Sequence, residues 1–355
     1  GTPGADDGRQ PAGFASLQPP QYLADHFFIY GLHDKNLVIT VCKYCLKVYT
    51  ILSNRIGRLT PVFDESQTLS LRPTYELEVG AGTVVVNEHL GAGVTLVLEA
   101  GRHCVHCDAA VRKLFGGGFC YDCFSSLARC DLCMVSPDRC HYHVGTCREP
   151  EWGENFCMQP HVVYLANTSG PKIGITRADR VRRRWLDQGA AQALVVADVP
   201  TRRAAGAVEA HFKRTLNDRT DWRRLVSGDV HAGDLPRMAG QMRQAMPDLC
   251  EIAADNLGES EAKAMSWRHG AHVTRIEYPV KAYCPPRRVS LSAQAPVYRD
   301  NLVGVLGQYL LFSRAALHLG AYRGMALSIE FGAALDTQEI APANQGNSDQ
   351  FTLFD

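Results

Sequence analysis

Cys104 and Cys107, then Cys120 and Cys123, form two Cys-x2-Cys pairs with twelve residues between them. A pair at that spacing sits on a tight turn and aims two thiolates at one point. Two such turns complete the tetrahedron that Zn2+ takes in structural sites, a zinc-ribbon arrangement. Gly116-Gly117-Gly118 supplies the flexible turn between them. A closed cysteine site stabilises rather than catalyses, and contributes folding free energy on the order of 10 kcal/mol. A second cluster follows, Cys130-x2-Cys133-x6-Cys140-His141-Tyr142-His143-x3-Cys147 and then Cys157-x3-His161. Among its eight candidate ligands, Cys130, Cys133, Cys140 and Cys147 are the expected set for a second structural zinc, and one more ion is arithmetically possible. His161 directly precedes an apolar run, so a role at a phosphate or a catalytic group is open to it as well.

The elements around these residues follow from local pattern. VVYLA (162–166) is short, apolar and β-branched, and reads as a strand. NTSGP is dense in turn formers, and KIGIT (172–176) reads as the hairpin partner. RADRVRRRWLDQGA has helical spacing, ALVVADV is a third strand, and TRRAAGAVEAHFKRTL is a long helix opened by Thr201 as N-cap. The order is β-β-α-β-α.

That order and those residues resemble the GIY-YIG nuclease superfamily. Tyr164 falls where the first motif keeps its tyrosine, Ile173-Gly174 where the second motif ends, and Arg184-Trp185 where an arginine follows in the first helix. Glu209 lies mid-way along the last helix, where the superfamily keeps its metal-binding glutamate. Lys172 stands where the second tyrosine belongs, a departure shared by some branches. The resemblance implies a metal-dependent DNA endonuclease. Glu209 would hold Mg2+ or Mn2+ against the phosphate, Arg184 would stabilise developing negative charge, and Tyr164 or Lys172 would position or deprotonate water. His211 lies near Glu209 but on a different helix face. A catalytically inactive, zinc-bearing nucleic-acid-binding adaptor is the alternative that Lys172 keeps open. The strings GTCREPEWGENFC, KIGITR, RWLDQGA and GQYLLF further resemble a bacterial family known as a domain of unknown function with a GIY-YIG-like core. That resemblance runs from roughly Gly57 to Gly332.

Composition sets the frame. With 355 residues there is room for two or three domains, and an apolar fraction of 46% supplies real cores. Charge is balanced overall, 37 against 37, yet between Lys172 and Arg224 thirteen Lys and Arg face six Asp and Glu. An excess of seven positive charges in one unit suits either a phosphate backbone or a solvated helix face. Thirteen cysteines, mostly paired at ligand spacing, point to zinc in a reducing compartment. A cytoplasmic, nucleoid-associated protein is expected, with no membrane span. The apolar run Leu37–Leu52 is broken by Lys43 and Lys47 and is too short for a bilayer.

The expected fold class is α+β, with a GIY-YIG-like core, zinc-ribbon modules and a β-rich domain built from both chain ends. Residues 1–56 read as an N-terminal extension from an upstream start, disordered over its Gly- and Pro-rich first twenty residues, with Cys42 and Cys45 a ligand pair in form only. Residues 57–103 read as strands (TYELEV, GTVVVN, VTLVLEA), 104–160 as zinc modules and 161–230 as the nuclease-like unit. Residues 231–275 read as helical, with Met238, Met242 and Met246 on a core face. Residues 276–332 read as strands including IEYPV, RRVSLSAQA and NLVGVLGQYLLF. NEHLGAGVTLVLEAG (87–101) echoes ALHLGAYRGMALSIEFG (316–332), a weak internal repeat expected to close one sandwich or barrel. The polar tail 333–355 ends in Gln350-Phe351-Thr352-Leu353-Phe354, which resembles the bacterial sliding-clamp-binding peptide. There Leu353 and Phe354 would fill an apolar pocket and Gln350 would hydrogen-bond at its rim, with the tail giving reach.

Overall fold

The computed structural model describes residues 27–30, 37–42, 48–52, 56–79, 82–253 and 257–336. The expectations for residues 1–26, for Cys45 and for Gln350, Leu353 and Phe354 lie outside the described residues. The fold is α+β, with three sheets and no closed barrel among the described residues. No helix there is long and apolar enough to cross a membrane.

The largest sheet is built around two antiparallel strands from the two echoing segments, Gly93–Arg102 and Met325–Gly332, with Val97 opposite Ser328 and Thr95 opposite Glu330. Val297–Leu306 pairs the outer edge of Gly93–Arg102. A three-stranded sheet, Ile56–Val62, Thr74–Val79 and Gly82–Val85, faces it. Tyr75, Leu77, Val94, Leu96, Leu302, Phe312, Leu327 and Ile329 fill the space between as one core. The expected repeat is visible in the backbone. A meander (Ile56–Val62, Thr74–Val79, Gly82–Val85) runs into the 3-10 turn Val86–His89 and then a long strand. A second meander (Val297–Leu306, Tyr309–Phe312, Ala316–His318) runs into the turn Leu319–Tyr322 and then a long strand. The two halves flank everything from His103 to Pro296. Of the expected sandwich or barrel, the sheets form the open, face-to-face arrangement. Two strand expectations need correction here. IEYPV joins a ladder only at Ile276, with Val280 an isolated bridge to Gly304. RRVSLSAQA makes only a bridge at Arg288 to Ala316, because Val289 N donates to Ala316 O and Leu291 N to the Tyr322 hydroxyl, with no continuous ladder.

The β-β-α-β-α unit lies inside that flanked segment. Its elements are β1 (His161–Asn167), β2 (Pro171–Arg177), α1 (Val181–Asp187), β3 (Gln192–Val199) and α2 (Arg202–Phe212). β1 is central, antiparallel to both β2 and β3, and buried at all seven positions, which is why VVYLA carries no polar alternation. Thr274–Ile276 extends the sheet beyond β3, and Ser70–Leu71 adds in parallel. One face of β1 presents Val163 and Leu165 to Ala204, Ala205, Val208 and Phe212 of α2. The other presents Val162, Tyr164 and Ala166 to Trp185 and Leu186 of α1. Thr201 caps α2 as expected, its Oγ1 accepting from Ala204 N at 3.1 Å. Met242 is buried under the first face with Met238 and Met246 packed against it, as its spacing implied.

Candidate active site and metal centre

Strand Gly93–Arg102 delivers the chain straight into the first cysteine turn. The second pair opens a helix, Tyr121–Ser126, whose N-cap is Cys120 with its sulfur accepting from Cys123 N at 3.4 Å. The donor atoms of Cys104, Cys107, Cys120 and Cys123 lie within 4.8 Å of one another. Cys104 Sγ accepts from His106 N at 3.4 Å. Burial opposes its thiolate, but backbone N–H groups of Cys107, Cys120 and His106 outweigh that and bring its pKa down to about 6. Burial and the neighbouring thiols push Cys123 the opposite way. Four sulfurs converging on one point are mutually repulsive once ionised, and a divalent cation of tetrahedral preference resolves that repulsion. The four residues form a plausible zinc-binding site, as their spacing implied.

The expected second set is only partly brought together. Cys130 packs with Cys104, Cys120 and Cys123, and is absent from the cavity lined by Cys133, Cys140, Cys147 and Cys157. His161 sits apart from it. Its Nδ1 is 2.7 Å from Gln159 O, its Nε2 has no partner among the described residues, and burial drives its pKa down to about 4.

On the α1 face of the sheet, register sets Gly174 opposite Tyr164 and Lys172 opposite Ala166. The Tyr164 ring lies across Gly174, where an added Cβ would fall 2.6 Å from the hydroxyl, so no larger residue fits beside it. Tyr164 is wholly buried. The Gln188 amide joins it to α1. With its oxygen turned toward Arg184, it accepts from Arg184 Nε at 3.0 Å and Nη2 at 2.9 Å, while its nitrogen donates to the Tyr164 hydroxyl at 2.9 Å. Arg184 itself is exposed.

Lys172, on the same face, is only 5% exposed. Burial first, and then the Arg184 charge, lower its pKa to about 8 against the opposing pull of Glu209 and Asp218. Glu209 projects from α2, which packs on β1 and β2. Burial raises its pKa and Asp218 adds to that, while Lys213, Arg202 and Arg184 oppose. Its carboxylate makes no hydrogen bond or ion pair with another described residue, whereas Asp218 is tied to Lys213 Nζ at 2.8 Å. His211 spends its ring on an edge contact with Phe212. The sheet and its two helices thus bring Tyr164, Lys172, Arg184 and Glu209 within electrostatic reach of one another and leave His211 aside.

A model of the family described as Protein of unknown function (DUF2797) matches residues 91–327. The chain belongs to this family. No curated protein and no solved structure matches it. The DUF2797 match begins later and ends earlier than the span of 57–332 expected from sequence, and it contains both the cysteine cluster and the Lys172 cluster.

Two of the strings that carried the family resemblance, RWLDQGA and GQYLLF, meet in this DUF2797 chain. Gln308 Nε2 donates to Asp187 Oδ1 at 3.1 Å and to Leu59 O at 2.9 Å. Gly307 lies so close that an added Cβ would meet Asp187 O at 2.8 Å. Arg58 pairs with Asp187 as well. The Tyr278 hydroxyl donates to Ala190 O at 3.1 Å and Trp185 O at 3.3 Å, closing the carbonyl end of α1. The helix that holds Arg184 is therefore fixed from the duplicated β unit. Sequence reasoning missed Gln188, Asp187, Gln308 and Asp218. Gln188 sits four residues after Arg184, one helical turn away, and that spacing was the available signal.

Proposed function

We propose that the protein is a metal-dependent phosphodiesterase of GIY-YIG type acting on DNA, with two structural zinc ions and a catalytic Mg2+ or Mn2+. One observation carries this: a buried lysine amine with its pKa near 8 shares a cluster with an exposed arginine and a half-buried carboxylate that has no hydrogen-bond or ion-pair partner among the described residues. Such an arrangement suits hydrolysis of a phosphodiester near neutral pH. Glu209, with Asp218 acting on it, fits a hard cation, since burial disfavours its charge and no described residue pairs with it. That ion would neutralise and orient the phosphate. Arg184, aligned by Gln188, stabilises charge on the non-bridging oxygens. The proton of the attacking water passes to the neutral Lys172 amine. A P–O bond forms to that water as the old P–O bond breaks, and the leaving oxygen takes a proton from solvent. Tyr164 has its hydroxyl occupied by Gln188 and is a positioning residue for Arg184.

The buried, occupied hydroxyl of Tyr164 also favours a second reading, a catalytically silent nucleic-acid-binding adaptor on the same framework. Both readings include DNA as partner through the positive excess between Lys172 and Arg224, and both include the sliding clamp as partner through Gln350, Leu353 and Phe354. Incubation with Mg2+ or Mn2+ and flapped, mismatched, crosslinked or single-stranded DNA separates the two. Cleavage should vanish in Glu209→Ala with DNA affinity unchanged or raised, and should fall by about 10²–10³-fold in Arg184→Ala. DNA binding by the parent without cleavage of any substrate selects the adaptor, and equal cleavage by both variants puts the active site elsewhere.

A further inference from the structure

We propose that the second metal centre is a four-thiolate zinc site built by Cys133, Cys140, Cys147 and Cys157. This deepens the two-zinc reading above and is independent of the hydrolase reading. All four side chains line one small cavity of about 10 Å³, the space of roughly one water-sized sphere. They arrive on four separate pieces of chain. Cys133 lies in the 3-10 turn Leu132–Met134, Cys140 closes the turn Pro137–Arg139, Cys147 follows the left-handed Gly145, and Cys157 closes the helix Pro150–Phe156. Short turns with this little apolar material need a common anchor, and a closed tetrahedral ion supplies one.

The competing donors have other partners. Asp131, Cys133 and His141 offer donor atoms within 4.8 Å of one another. Yet Asp131 Oδ2 takes Arg148 Nε at 2.7 Å and faces His141 Nε2 at 3.5 Å, while its Oδ1 accepts from Cys133 N at 3.3 Å. His141 Nδ1 in turn meets Thr146 Oγ1 at 2.8 Å. Asp131 therefore holds the Cys133 turn in place behind the sulfur, as outer carboxylates do around metal sites. Cys130 belongs with the first cluster. The site also reaches the α/β unit. Cys157 O accepts from Arg202 N at 2.8 Å, and Met134 O accepts from Arg202 Nη2 at 2.8 Å, at the start of α2.

Metal analysis of the full chain tests the assignment. The parent should hold about two zinc ions, Cys157→Ser and Cys140→Ser about one, and Cys130→Ser and His141→Ala two. Where a cysteine variant does not fold, Co2+ substitution of the parent gives the same answer. Near-ultraviolet thiolate-to-cobalt absorption should correspond to about eight sulfur ligands, against about five if the second ion uses Asp131, Cys133 and His141. A parent with one zinc overturns the two-zinc reading and this ligand set together. Two zincs retained in Cys157→Ser, one lost in His141→Ala, or cobalt absorption for about five sulfurs overturns the ligand set alone.

Discussion

A buried amine beside a guanidinium gives up its proton more easily than one in water. Lys172 is such a group, with a folded pKa of about 8 against an ordinary 10.5. Because the folded value is the lower one, the charged amine destabilises the fold. The penalty is fully present below about pH 8 and is relieved as pH rises from there toward 10.5. Lys172→Met should therefore raise the thermal midpoint at pH 7, and that gain should shrink by pH 10. On the proposed hydrolase reading, the same substitution should abolish cleavage, and the parent's rate should climb through an acid limb near pH 8. Paired melting curves at the two pH values check the stability half. A variant that is less stable than the parent at pH 7 would show that Lys172 is held by packing rather than merely tolerated for its chemistry. The sequence singled out Lys172, Arg184 and Glu209 by their order along the chain, and the fold brings them within electrostatic reach of one another. Gln188 was not, because an amide on a helix has many bland uses and only the fold turns it between Tyr164 and Arg184.

At the scale of elements, α2 is clamped against the second cysteine-rich segment at Gly206. An added Cβ there would fall 2.5 Å from Pro137 Cβ and 2.7 Å from Asp138 N, and the second of these is backbone that cannot swing aside. Gly206→Val should push the turn Pro137–Arg139 off α2. The expected cost is about 1–3 kcal/mol, read from denaturant midpoints, with loss of the metal-binding turns' protection in hydrogen exchange. Unchanged stability would mean that the two elements are not locked together. The β-β-α-β-α order was readable from apolar runs and turn formers, and the Cys104–Cys123 ribbon from spacing alone. The docking of Gly206 on Pro137 was not readable, since sixty-odd residues separate them and no local pattern encodes a contact at that range. RRVSLSAQA misled for a related reason: its alternation is that of a strand, but its N–H groups find isolated acceptors instead of a ladder.

For the whole molecule, the C-terminal peptide makes the simplest prediction, because it depends on no part of the fold. A peptide of residues 344–355 should bind the sliding clamp with micromolar affinity, about −8 kcal/mol at 1 μM. Replacing Leu353 and Phe354 by alanine should remove most of that, as anchors usually dominate, while leaving zinc content and cleavage of naked DNA intact. Equal, weak titrations of both peptides would mark the terminus as a chance match. The repeat was also legible at this scale, in the HLGA strings. What it builds was not, since an open pair of facing sheets and a closed barrel share one alternation of residues and differ only in edge pairing.

The split β unit has a consequence for how the chain is made. Strand Gly93–Arg102 takes its two neighbours from residues 297–306 and 325–332, so during synthesis it leaves the ribosome with both hydrogen-bonding edges bare. The metal-binding turns and the α/β unit, whose contacts are mostly among themselves, can close first. Only when the last strands emerge can Gly93–Arg102 find its ladder. Over that interval the newborn protein carries an apolar strand with both edges open to wrong pairing, until translation ends.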